Sequence, residues 1–73
     1  MENYKDINGD SGIRGYEIKD TSITVWFKGT SKSYTYSYQS AGSANVEKMK
    51  KLAASGNGLN AFINQHVKFK YVR

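Results

Sequence analysis

Strict alternation is the feature that most constrains how this chain can fold. In Tyr34-Thr35-Tyr36-Ser37-Tyr38, single small hydroxyl residues separate three phenol rings. A period of two puts the rings on one face of a strand. Residues 22–28 alternate as well: Ile23, Val25 and Phe27 share one face, and Thr24, Trp26 and Lys28 share the other. The β-branched and aromatic content suits a pleated, half-buried surface. Gly29-Thr30-Ser31 between the two runs predicts a hairpin loop, with residues 32–38 returning antiparallel. Residues 14–19 alternate more weakly, with Tyr16 and Ile18 opposed to Glu17 and Lys19, and Asp20-Thr21 makes a turn.

After Tyr38 the period changes. Residues 39–42 read as a connector and Ser43 as the N-cap of a helix running to about Ser55. Val46, Met49, Leu52 and Ala53 form its apolar stripe. Gly56 ends it, because glycine tolerates the left-handed cap conformation. A second short helix is expected from Leu59 to about His66, with Leu59, Phe62 and Ile63 inward and Asn60 as a candidate cap. Residues 67–72 alternate again, as an edge strand or an extended tail; Lys68 and Lys70 suit an edge that must not aggregate. The expected fold is α+β: a three-stranded antiparallel meander, two short helices packed on one face, and room for a fourth short C-terminal strand. Residues 1–12, polar apart from Tyr4 and Ile7, are expected to be a flexible lead-in, with room for a short stretch laid against the sheet, to a single domain over 13–73.

Composition sets further limits. A chain of 73 residues buries only about 60% of its unfolded surface. Without a cysteine it has no disulfide, thiolate metal site or thiol nucleophile. Stability must come from packing, and ten aromatic residues can each contribute about 2–3 kcal/mol when fully buried. No apolar run approaches the roughly 18 residues of a membrane span, and Glu2-Asn3-Tyr4-Lys5-Asp6 is unlike a signal peptide. With no cysteine, a cytoplasmic location is expected.

The net charge of +5 is unevenly placed. Residues 1–44 balance five basic against five acidic groups, whereas residues 45–73 set Lys48, Lys50, Lys51, Lys68, Lys70 and Arg73 against Glu47 alone. Such asymmetry suits a polyanionic partner and also a merely solvated lysine-rich surface. No nucleophile–base pair or carboxylate dyad stands out: Glu17 and Asp20 lack an accompanying base, and His66 fits a helix C-terminus. Gly56-Asn57-Gly58 lacks the Lys-Ser/Thr of a phosphate loop and reads as a tight turn. Neither catalysis nor a cofactor or metal is expected.

The ordered set of Phe27-x-Gly29, Tyr34-x-Tyr36, Ala53-Ala54-Ser55-Gly56, Leu59-Asn60 and Ile63 resembles the KTSC domain. That module is found at the C-terminus of some lysyl-tRNA synthetases and as stand-alone bacterial proteins. The resemblance covers residues 11 to about 71, with Tyr34, Tyr36, Ser55, Gly56 and Asn60 as motif positions of structural character. Where the family has Val-Pro opening its helix, this chain has Ser40-Ala41-Gly42-Ser43. The resemblance implies a small α+β domain without established catalysis, for which RNA binding has been suggested.

Two functional readings follow. In the first, the chain is a non-catalytic module for RNA or another nucleic acid. Lys28, Lys48, Lys51, Lys68 and Lys70 would meet phosphates and Trp26 would stack on a base, all on one continuous surface. In the second, it is a protein-interaction or dimerisation module using an edge strand or the Trp26 face. The three tyrosines serve either as a stacking set or as core rings, and Trp26 is either exposed or covered by residues 67–72 or by the lead-in.

Overall fold

The structure is a computed structural model that describes residues 2–5 and 12–72. Four antiparallel strands lie in chain order: β1 (Glu2–Asn3), β2 (Ile13–Lys19), β3 (Ser22–Phe27) and β4 (Ser33–Ser37). Helices follow: α1 (Tyr38–Ala41), α2 (Ser43–Ser55) and α3 (Leu59–Phe62), which runs on into a π-helical turn over Ile63–Val67. The fold class is the expected α+β with helices packed on a sheet.

The hairpin keeps the expected register. Ile23 faces Tyr36, Val25 faces Tyr34 and Thr24 faces Thr35. The Thr24 and Thr35 hydroxyls lie 2.8 Å apart, as side chains of a non-hydrogen-bonded pair should. Ile23, Val25 and Tyr36 are buried with Val46, Met49, Ala53, Leu59, Ile63 and Val67. The helices therefore cover the apolar face of the sheet. Each aliphatic side chain so buried contributes about 1.5–3 kcal/mol.

Two features of the N-terminal part depart from expectation. The fourth strand is β1, which pairs Glu2 with Tyr16 and Asn3 with Gly15. Tyr4 then enters the core, its N–H donating to the Arg14 carbonyl at 3.1 Å. Residues 2–4 thus form the short stretch laid against the sheet, while 6–11 with Ile7 lie outside the described residues. The second feature is a bulge. Ile13 faces Phe27 and Gly15 faces Trp26, leaving Arg14 as an extra residue. Strict alternation from Tyr16 would turn Arg14 into the core. The bulge turns Ile13 inward instead, fully buried, and leaves Arg14 exposed.

The helical half differs in its joints. Tyr38 does not extend β4 but opens α1, where Ser37 and Ser40 form a reciprocal capping box. The residue at the N-cap of α2 is Gly42, at φ 93°, and Ser43 is the first helical residue rather than the cap. Gly56 ends α2 in the left-handed conformation, φ 77°, as expected. The cap of α3 is Gly58, so Asn60 lies within the helix and does not cap it. The Leu59 N–H donates instead to the buried Tyr4 hydroxyl at 3.3 Å, joining β1 to α3.

Residues 68–72 form a turn and a tail, not a strand. Val72 N–H donates to the Thr35 carbonyl on the outer edge of β4 at 2.7 Å. The neighbouring Ser37 N–H is taken by Ser40 Oγ at 3.0 Å. The free edge of β4 is therefore partly occupied by the chain itself.

Candidate functional site

The six residues expected to form one nucleic-acid surface separate onto three parts of the molecule. Lys48 and Lys51 are exposed on α2, whose inner face of Val46, Met49 and Ala53 covers the sheet. Trp26 lies between core-facing Val25 and Phe27 on β3 and so projects from the face opposite the helices. It is half-buried, flanked in register by Gly15 and Ser33, and takes no part in the core. The tail packs against Tyr34 and Tyr36 instead. Trp26 and the α2 lysines cannot share a surface, because the sheet and the helical layer lie between them. Lys28, Lys68 and Lys70 are exposed, and of these Lys68 lines the third place.

That place is a pocket of about 200 Å³ at the loop end of the β3–β4 hairpin. Phe27 and Tyr34 line it from the sheet, Ile63 and Asn64 from the π-helical turn, and Lys68, Phe69 and Tyr71 from the tail. The rings pack edge to face: Tyr34 lies 5.6 Å from Phe27 and 4.8 Å from Tyr71, centroid to centroid. Phe69 is 66% exposed, with the Lys68 ammonium 5.4 Å from its ring centre. Tyr36 forms the floor. Burial, and then the neighbouring Tyr34 and Tyr71 phenols, push its pKa up to about 12, so it stays neutral and protonated near pH 7. Tyr34 and Tyr36 are therefore core and pocket rings, whereas Tyr38 is elsewhere.

The sequence pattern places Phe27 on the core face and leaves residues 67–72 as either an edge strand or an extended tail. The usable signal was the interleaving of basic and aromatic residues in Lys68-Phe69-Lys70-Tyr71. What it lacked was the π-helical turn that folds the tail back onto Tyr34.

The other polar cluster is structural. The Tyr38 hydroxyl donates to Glu47, and Lys50 pairs with Glu47 at 2.9 Å while donating to the Asp20 carbonyl at 2.8 Å. The Tyr38 hydrogen bond, followed by Lys50, holds the Glu47 carboxyl below its usual range. Glu47 in turn raises the pKa of both Tyr38 and Lys50. The cluster pins α2 to the β2–β3 turn and takes Lys50 out of any ligand surface. Ser55 Oγ donates to the Leu52 carbonyl at 2.8 Å and accepts from Asn57 N–H at 3.2 Å, closing the turn after α2. His66 stacks on Phe62, ring centres 4.6 Å apart, in the last helical turn. Among the described residues no group of three or more His, Asp or Glu could hold a metal ion, and no helix is long and apolar enough to cross a membrane.

Fold and pocket together define a small α+β domain with an aromatic pocket and lysine at its mouth. Comparison with models of known protein families, with curated proteins and with solved structures finds no match to this chain. The likeness to the KTSC domain thus stands on the residues that suggested it.

Proposed function

We propose that this chain is a non-catalytic module that binds single-stranded RNA at the hairpin end of the sheet. The observation that carries the reading is the pocket itself, in which aromatic walls meet Lys68 at the mouth. Aromatic rings accept unstacked bases of any sequence, and lysines beside them follow the phosphates. The lysines concerned are Lys68 and Lys70, with Lys28 from the hairpin loop; Lys48 and Lys51 have no part in it. A duplex, its bases already stacked and paired, has nothing to offer such a pocket.

The alternative of a strand-adding or dimerising module has less to work with. Val72 and Ser40 already occupy polar groups on the β4 edge, and β1 at the other edge is only two residues long. The test is a titration of labelled single-stranded RNA at two salt concentrations. Three phosphate contacts give a slope near −2 in log K against log salt, or about a 20-fold loss of affinity from 50 to 200 mM. Absence of binding at 50 mM salt, or equal binding of duplex and single strand, contradicts the reading.

A further inference from the structure

We infer that the pocket receives one nucleobase, turned out of its stack, while the phosphate of the same nucleotide stays outside against Lys68. This assignment rests on the single-strand reading above and gives it a stoichiometry and a geometry. Size supports it first. At about 200 Å³ the cavity is smaller than the roughly 300–1,000 Å³ of pockets that hold drug-sized ligands. It has room for one ring system but not for a ring with its sugar and phosphate. Chemistry supports it second. The walls are mostly rings, those of Phe27, Tyr34, Phe69 and Tyr71, with Ile63 the one aliphatic side chain, which favours a flat π-system. Two polar side chains line the pocket with these rings. Asn64 carries a donor and an acceptor on one amide, able to pair with a base edge. Lys68 supplies the only positive charge among the lining residues and suits the phosphate.

At 66% exposure Phe69 is the most exposed of the lining rings, so replacing it removes a wall of the pocket with little loss of core packing. Neutral Tyr36 beneath keeps negative charge out of the pocket at ordinary pH.

The experiment uses the full chain and fluorescein-labelled hexamers of adenylate and of uridylate at 50 mM salt, intact and with one abasic position moved along the strand. The expected result is a single sensitive position at which base removal lowers affinity about five- to a hundredfold, with little effect elsewhere. Phe69→Ala should abolish that position dependence while leaving the salt slope as it was. Lys68→Gln should keep the position dependence and reduce the slope by about 0.7. Asn64→Ala should change the ratio of adenylate to uridylate affinity. A flat abasic series on hexamers that do bind overturns the base pocket and spares the single-strand reading. Hexamers that fail to bind at all overturn both.

Discussion

Adjacent residues on β3 face opposite environments, and exchanging each in turn tests the architecture. Val25 is fully buried beneath the helices, whereas Trp26 is half-buried on the face away from them. Val25→Ala removes two methyl-sized groups, about 1.6 kcal/mol at 0.8 kcal/mol each. A residual void on the order of 50 Å³ adds about 1 kcal/mol. The sum of about 2–3 kcal/mol is large for a domain this size, whose whole stability is on the order of 4–11 kcal/mol. It lowers the melting temperature by about 10–20 °C. Trp26→Thr keeps a strand-favouring residue outside the core and should cost less than Val25→Ala. Urea unfolding followed by far-UV circular dichroism reads both variants on one scale, with the midpoint shift multiplied by the slope giving the difference. If Trp26→Thr costs as much as Val25→Ala, the indole lies in the core and the assignment of faces is wrong.

Other outcomes follow from particular contacts. Tyr36 has a pKa of about 12 when folded, raised first by burial, against about 10 when unfolded. Its contribution is complete below pH 10 and is lost as pH rises from 10 to 12; allowing for water at the phenol end it amounts to about 1–2 kcal/mol. Stability measured by urea titration at pH 8 to 12 should fall across that window, and less steeply in Tyr36→Phe. Gly56 stands at φ 77°, so Gly56→Ala should cost about 1–2 kcal/mol, measurable as a lower urea midpoint. Val72→Pro deletes the N–H that meets the Thr35 carbonyl on the β4 edge, and sedimentation should show more concentration-dependent self-association than in the parent chain.

The hairpin, α2 and its Gly56 cap were legible because each is written as an uninterrupted local period or a residue with one conformational use. The joints were not. Strand β1 is too short to carry a period, and only Tyr4, an isolated ring in a polar stretch, hinted that the chain start is packed. The bulge at Arg14 breaks alternation by one residue, and only long-range pairing with Phe27 and Trp26 reveals it. Tyr38 continued the tyrosine alternation and so looked like strand, but the Ser37–Ser40 box started a helix there and Glu47 took the hydroxyl. For the site, charge counting placed the lysines by segment, whereas the fold sends the lysines of residues 45–73 to different layers. The pocket joins Phe27 to Tyr71 through tertiary packing that no local pattern encodes.

The most direct test of the binding account is an amide nuclear magnetic resonance titration of the full chain with a uridylate hexamer at 50 mM salt. The account predicts that shifts gather at residues 27–36 and 63–72 and leave the amides of Lys48 and Lys51 in place. Shifts concentrated on the outer face of α2, or around Trp26 with the Tyr34 and Tyr71 signals unmoved, would contradict it.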